Sequence, residues 1–316
     1  MRPRFTLLIA LVLAAVAVTY AGGRAVMTVN PPDVHITLPP SSASYLGVYE
    51  DGSPPDYQPV ADFAKAAGRR PNLVGYFSGW AEPFATSFAQ RIHRHRDIPF
   101  VQIDPTYASV PAIAGGAYDD YLSSYAKSVR AFGHAVVIGF GHEMNTCSCS
   151  WGYRHLPPRT FVAAWRHIVT LFRSQGAGNV TWLWTINADR PGNRGTGPIA
   201  SWWPGAQYVT WVGIDGYYFR PSDTFDRVFG RTISQVRDFT RKPVLLSETA
   251  VGPVAGQFVK IQDLFQGMAR YKTLGLVWFD KAQHDGPYHQ DWRIEDNPAA
   301  EAAFRLGVAT LTLARP

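Results

Sequence analysis

Two glutamates each come directly after a short apolar run. Glu143 lies in the string GHEMN after the run AVVIGF, and Glu248 lies in the string SETA after the run PVLL. The length of both runs and their Val, Ile and Leu content are typical of buried strands, so each glutamate is predicted at a strand end. One such glutamate alone would be interpreted as a solvent-exposed loop residue. Two at matching positions favour a catalytic pair of carboxylates, because glycoside hydrolysis needs one carboxyl group on either side of the bond that breaks.

Two other chemistries fit this segment poorly. His142 and Glu143 begin like the zinc-protease motif HExxH, but Thr146 stands where the second histidine is required. No serine lies in a Gly-x-Ser-x-Gly turn, so a serine nucleophile is not supported. We therefore expect no metal and no other cofactor.

The chain has two cysteines, Cys147 and Cys149, with one residue between them. This spacing leaves three interpretations open: a local disulfide, two reduced thiols, or a metal site shared with the nearby His155. The metal site is the least favoured, because no second pair of cysteines is present to complete it.

Eight apolar runs divide the chain after residue 44, with helical patterns between them. They are spaced about 33 residues apart, the size of one strand and helix with their loops. The prediction is an α/β fold, a (β/α)8 TIM barrel forming a single domain, with an open doubly wound sheet as the alternative. In a barrel, strands 4 and 7 lie across the mouth from each other, so both glutamates can reach one cleft. The runs start near Tyr45, Leu73, Pro99, Ala135, Val180, Tyr208, Pro243 and Gly275.

The N-terminal segment is separable from this domain. Arg2 and Arg4 precede an uncharged run, so residues 1–21 are predicted to be a signal peptide or an N-terminal anchor. Residues 22–44 are predicted to be a proline-rich linker, and residues 45–316 the catalytic domain. We expect a secreted monomer, or one anchored on the outer face of the cell membrane. The net charge of +6 comes without a basic stripe, so nucleic acid is not an expected partner.

Three strings together resemble glycoside hydrolase family 26: HEMN, WVGIDGY at Trp211–Tyr217, and PVLLSETA. The resemblance implies a retaining, endo-acting hydrolase of β-linked polysaccharides, most often β-1,4-mannan and less often mixed-linkage β-glucan or xylan. By the same resemblance, Glu143 is the general acid/base and Glu248 the nucleophile. His142 matches the histidine beside the acid/base, and Tyr217 matches the tyrosine that holds the nucleophile.

These roles make physical demands on the two glutamates. Glu248 must be ionised, which a hydroxyl donated by Tyr217 would favour, and Glu143 must be protonated near neutral pH. A retaining mechanism also predicts that the two carboxyl groups lie ~5–5.5 Å apart.

Aromatic and polar side chains at strand ends are the expected sugar contacts. A pyranose ring has an apolar face that stacks on tryptophan, while the hydroxyl groups around its edge form hydrogen bonds. The resemblance places Trp278 below the sugar at the cleavage point, and strand 5 offers Trp184 either to the core or to the cleft. The predicted substrate-binding residues are His142, Trp80, Asn145, Trp151, Trp184, Tyr217 and Trp278.

The segment after HEMN departs from the family pattern. Ser148 stands where the family has a tryptophan that contacts substrate, and a pair of cysteines surrounds it. The substitution leaves the two glutamates intact but makes a polysaccharide other than mannan a fair hypothesis. Two further alternatives stay open at this point: a transglycosylase, and a barrel that binds carbohydrate without cleaving it.

Overall fold

The computed structural model describes residues 38, 43–189, 197–283 and 290–315. They belong to one compact unit, Asp33–Pro316. The predicted leader, and the predicted linker apart from Leu38, Ala43 and Ser44, lie outside the described residues and stay predictions. Within the described part, no helix combines the length and the apolar character needed to cross a bilayer.

Eight parallel strands form a closed barrel in chain order, as predicted. Pairing of the first strand with the eighth, from Tyr45 with Gly275 to Glu50 with Asp280, closes the cylinder. Seven strands begin within one residue of their predicted start, and the sixth begins three residues late. The strands are β1 (Tyr45–Glu50), β2 (Leu73–Gly79), β3 (Ile98–Asp104), β4 (Val136–Phe140), β5 (Val180–Asn187), β6 (Trp211–Asp215), β7 (Val244–Thr249) and β8 (Gly275–Asp280).

Helices surround the barrel, because the segments between strands carry apolar residues at helical spacing, and each helix buries its apolar face against the barrel. In the described part of the fifth unit, the only helix is a 3-10 helix, Ile199–Trp202, in keeping with the glycines and prolines of the sequence. A π-helical turn, Asp226–Gly230, leads into the sixth unit, and two short antiparallel strands, β9 (Ala282–Gln283) and β10 (Gln290–Asp291), follow β8. The helices are α1 (Gln58–Ala66), α2 (Thr86–Arg94), α3 (Val110–Ala114), α4 (Asp119–Phe132), α5 (Pro158–Ser174), α6 (Arg231–Phe239), α7 (Gln257–Tyr271) and α8 (Pro298–Ala309).

Two apolar layers lie on the two sides of the barrel wall. Successive side chains of a strand point to opposite faces, so each strand contributes alternately to the interior and to the layer under the helices. On β8, Val277 belongs to the interior cluster, whereas Leu276 and Trp278 belong to the helix-side cluster. This alternation decides which aromatic residues near strand ends can face the cleft.

Candidate active site

The segment after β4 holds Glu143 in an unusual backbone conformation. Gly141 and Glu143 both have left-handed φ angles, 54° and 55°. The Gly141 amide donates to Ile103 O on β3 at 2.9 Å, and the Glu143 amide donates to Thr185 O on β5 at 3.1 Å. A left-handed conformation is unfavourable for glutamate and persists only where its surroundings enforce it, as happens most often at functional sites.

Two further links hold this turn. Asn145 Nδ2 donates to Asn187 O at 2.9 Å, and the Asn187 amide donates back to Asn145 Oδ1 at 2.9 Å. Cys147 and Cys149 form a disulfide, the first of the three interpretations left open by the sequence. The Cys147 amide donates to Glu143 O, so the disulfide loop closes directly onto Glu143. Asn145 is buried by its pairing, and its predicted contact with substrate stays a prediction.

A histidine and an aspartate pair beside Glu143. His142 Nδ1 lies 2.9 Å from Asp104 Oδ1, where β3 ends. Burial alone would lower the pKa of His142, but the hydrogen bond and charge of Asp104, with the charges of Glu248 and Glu143, raise it to about 10. His142 is therefore an imidazolium at neutral pH. Asp104 was not predicted, although it is the last residue of a strand, the kind of position that identified the two glutamates.

Glu248 lies within β7 and is 6% exposed. Tyr217 Oη donates to Glu248 Oε2 at 2.8 Å, which is the hydrogen bond that the sequence predicted. No described residue lies within hydrogen-bonding distance of the buried Oε1. Burial raises the pKa of Glu248, and the charge of Glu143 raises it further. The imidazolium of His142 and the Tyr217 hydroxyl lower it, and the resulting pKa of Glu248 is about 7.

A bulge in β7 brings Glu248 to the interior side of the wall. Gly213 pairs with Leu245, and two residues later Asp215 pairs with Glu248, so β7 has one more residue than β6 between these pairs. Leu245 belongs to the interior cluster and Leu246 to the helix-side cluster. Strict alternation from Leu245 would turn Glu248 towards the helices, and the extra residue reverses that.

A third carboxyl group lies beside this pair. Asp215 is fully buried and accepts a hydrogen bond from Ser247 Oγ at 2.5 Å. Burial, together with the charges of Glu248 and Glu143, raises the pKa of Asp215 well above its ordinary value. Burial and the two neighbouring carboxylates therefore favour the protonated form of Asp215.

Two tryptophans predicted to bind substrate do not reach the cleft, and the prediction for them is wrong. Trp184 is fully buried on the helix side of β5, with its ring centroid 5.2 Å from that of Trp203. Trp278 is fully buried against Phe304 of α8, and its Nε1 donates to Trp292 O at 3.0 Å. Both residues stand at positions of their strands that face outwards.

Trp151 was also predicted to stack on sugar, and the structure gives it a different position. It is 6% exposed, its Nε1 donates to His142 O at 2.8 Å, and its ring lies against the backbone of Gly141. Its predicted contact with sugar stays a prediction, as does that of Asn145. Trp151 supports the turn that carries His142 and Glu143.

Trp80 and Tyr217 keep positions in which they could contact substrate. Trp80 follows β2 and is half-buried, held edge-on by Tyr118 and Tyr121 with centroids 5.2 and 5.0 Å away. Tyr217 is half-buried and packs on Trp292 at 4.9 Å. Trp292 comes after β10, in a loop where sequence patterns cannot assign a packing partner, and it was not predicted.

The model of glycosyl hydrolase family 26 matches residues 77–308. The chain belongs to this family. Its barrel is similar to the Bacillus subtilis mannanase man26, with a TM-score of 0.64, 17% identity and 86% of each chain covered. It is also similar to a Cellulomonas fimi endo-β-1,4-mannanase double mutant, with a TM-score of 0.66, 14% identity and coverage of 87% of this chain and 72% of the other. These identities support the fold alone.

Two curated relatives carry names other than mannanase. Endoglucanase H of Acetivibrio thermocellus is 29% identical over 273 residues, which cover 81% of this chain and 29% of the relative. Beta-1,3-xylanase TXYA of a Vibrio species is 24% identical over 208 residues, covering 62% of this chain and 43% of the relative. The chain thus spans less than half the length of these relatives. The predicted family and barrel are confirmed.

Proposed function

We propose that this protein is a retaining endo-glycoside hydrolase that cleaves a β-linked polysaccharide by double displacement. The observation that carries the proposal is the state of Glu248. One carboxyl oxygen accepts the Tyr217 hydroxyl, and the other is buried without a described partner. A nucleophile requires an oxygen that no protein group holds, because a hydrogen bond from the protein to that oxygen would have to be lost before attack.

Glu248 performs the first displacement. Its Oε1 forms a bond to the anomeric carbon as the glycosidic bond breaks, and Glu143 transfers its proton to the departing oxygen. In the second step Glu143 takes a proton from water, and the water oxygen displaces Glu248 from the sugar. The imidazolium of His142 supports both steps, because its charge favours the ionised form of Glu248.

Glu143 is suited to proton exchange by its position. It lies in a turn beyond the strand and is only half-buried, so water can reach it between the two steps. The mechanism needs the two carboxyl groups ~5–5.5 Å apart. The charge of Glu143 raises the pKa of Glu248, which supports their proximity.

The polysaccharide is proposed from two kinds of observation. β-1,4-Mannan is the substrate class that the family resemblance favours. Mixed-linkage β-glucan is the second candidate, since Ser148 replaces the tryptophan that contacts substrate in the family and Endoglucanase H has 29% identity to this chain. Xylan is the third, from the relatives named β-1,3-xylanases.

We also propose that the protein is an exported monomer that uses no metal or cofactor. The uncharged run after Arg2 and Arg4 supports export, by cleavage of the leader or by anchoring to the outer face of the membrane. In the described part of the chain, no group of three or more His, Cys, Asp or Glu side chains is arranged to hold a metal ion.

Hydrolysis of a polysaccharide panel tests the proposed function. Wild type, Glu143→Gln and Glu248→Gln are incubated with β-1,4-mannan, mixed-linkage β-glucan, β-1,4-xylan and β-1,3-xylan, and the products are sized. Glu301→Gln, on the outer helix α8, is the matched control. We expect shortened oligosaccharides of retained anomeric configuration from wild type and the control only.

Other outcomes identify the alternatives. Equal activity in wild type and both glutamine variants contradicts the mechanism. Binding without products by wild type indicates a carbohydrate-binding barrel, and products longer than the substrate indicate a transglycosylase.

A further inference from the structure

One aromatic side chain on the catalytic rim of the barrel is left almost wholly in water. Tyr107 is 99% exposed, in the loop that follows β3. The other large apolar side chains that the described part exposes are Phe258, Val259 and Leu306, all on the outer helices α7 and α8. Tyr107 is three residues from Asp104, which pairs with His142, so its loop borders the proposed cleft.

The backbone at Tyr107 is also unfavourable for a tyrosine. Its φ angle is 67°, in the left-handed region. The Ala108 amide donates to Pro105 O at 3.0 Å, which closes a four-residue turn with Tyr107 in the third position. A positive φ at that position is the geometry of a type II turn, where glycine or asparagine is preferred. Neither the exposure nor the turn position of Tyr107 stabilises the free protein.

The loop around Tyr107 is firmly held, so the ring is presented from a fixed base. Its neighbours Pro105 and Ala108 are buried. The Ser109 amide donates to Tyr118 Oη at 3.4 Å, and Tyr118 packs edge-on against Trp80. The loop is thereby linked to Trp80, the one half-buried tryptophan predicted to bind sugar, and both lie on the β2–β3 side of the barrel mouth.

We propose that Tyr107 is a sugar-stacking platform of an outer subsite on the β2–β3 side of the cleft. Its ligand is the apolar face of a pyranose in a β-linked glycan chain, beyond the units at the cleavage point. A covering sugar would remove the ring from water, and the left-handed turn holds the ring in the orientation that the sugar meets. The proposal rests on the proposed function, because it requires a polymeric glycan as substrate.

The test compares long and short substrates. Tyr107→Asn removes the ring but suits the turn, since asparagine tolerates the left-handed conformation, and Tyr107→Phe keeps the ring without its hydroxyl group. We expect Tyr107→Asn to raise KM for the polysaccharide about tenfold, the order of one lost stacking contact. Its kcat/KM for an aryl glycoside too short to reach the loop should equal that of wild type, and Tyr107→Phe should match wild type on both substrates.

The controls separate this role from a structural one. Leu306→Ala removes another exposed apolar side chain, on α8, and should leave both substrates unaffected. The Tm of Tyr107→Asn should equal or exceed that of wild type, because the turn is relieved. Equal KM values for the polysaccharide in wild type and Tyr107→Asn would overturn the proposal. An equal loss on long and short substrates would also overturn it, since the effect would then reach the cleavage point.

Affinity gel electrophoresis keeps the test independent of turnover. If wild type hydrolyses none of the polysaccharides, the proposed function fails. The slower migration of the protein in gels that contain the same polymers then measures sugar binding at Tyr107 without any hydrolysis. Weaker retardation of Tyr107→Asn than of Tyr107→Phe supports it, and equal retardation of the two variants overturns it.

Discussion

The two glutamates of this barrel have the same chemistry and contrasting settings. Glu248 is part of β7, between the buried residues Ser247 and Thr249, and is itself almost fully buried. Glu143 lies three residues beyond the end of β4, in a left-handed turn, and is half-buried. Burial and nearby charges tune the pKa of Glu248, whereas hydrogen bonds and a disulfide fix the backbone around Glu143. Glu248 thus has the buried, fixed position that suits a nucleophile, and Glu143 has the access to water that suits an acid/base.

Replacing Glu248 should have the largest effect. We expect Glu248→Gln to lower kcat roughly 10⁴-fold or more on polysaccharides and activated aryl glycosides alike, because no covalent intermediate can form. A single-turnover assay with an aryl glycoside measures this as the loss of the initial burst. A normal burst in the variant would remove Glu248 from the first displacement.

Above pH 7, Glu248→Gln should be more stable than wild type, although it is less active. Burial raises the pKa of Glu248 from 4.5 to about 7, so the native state holds this proton more tightly than the unfolded chain does. The free energy of unfolding therefore falls as the pH rises through that window, and stays lower above it. Glu248→Gln lacks this loss, and thermal unfolding at pH 8 should show a Tm above that of wild type.

Replacing Glu143 should have a smaller effect that depends on the leaving group. Glu143→Gln should lower kcat/KM on polysaccharide about 10²–10⁴-fold, the range of general acid–base catalysis. With a dinitrophenyl glycoside the first step needs no proton, so kcat/KM should stay close to wild type. A loss of equal size on both substrates would show that Glu143 does not act as the acid.

Replacing Asp104 should move the pH profile. Without its partner, His142 loses its proton more readily, and the imidazolium no longer holds down the pKa of Glu248. Because the pKa of Glu248 is raised to about 7, we expect the acidic limb of kcat/KM near pH 7 in wild type and about one pH unit higher in Asp104→Asn. Asp119→Asn is the matched control, because Asp119 contacts His167 at 2.6 Å on the outer helices. An unshifted acidic limb in Asp104→Asn would show that the His142–Asp104 pair does not control the ionisation of Glu248.

Removing the disulfide should have the smallest effect. Serine at both Cys147 and Cys149 leaves the turn held by the paired Asn145 and Asn187, so we expect a few-fold loss of kcat on polysaccharide. The loss should be confined to substrates that need Glu143 as the acid, which the dinitrophenyl glycoside checks. An equal loss with that glycoside would mean that the disulfide also holds the rest of the site.

The aromatic residues show where sequence patterns stopped being informative. Counting strands was sufficient to place Trp184 and Trp278 near the catalytic rim, but not to say which side of the wall each faces. Trp278 and Phe279 are adjacent, and only the closure of the barrel puts Trp278 under α8 while Phe279 packs against Tyr49. The position of Trp292 depends on the same closure, because this residue, in the loop after β10, contacts Tyr217, which follows β6.

By itself, the sequence determined the barrel, its strand order and the two strands that carry the glutamates. Apolar runs at regular spacing are a local property, so they survive in the printed chain. Only the tertiary structure decided that Glu248 faces the interior, because the extra residue in β7 appears when the strand is paired with β6. It also shifted the pKa values of Asp215 and His142 upwards, the first through burial and the charges of neighbouring residues, and the second through neighbouring residues whose effect outweighs burial. Those contacts join residues far apart in the chain, and no local pattern records them.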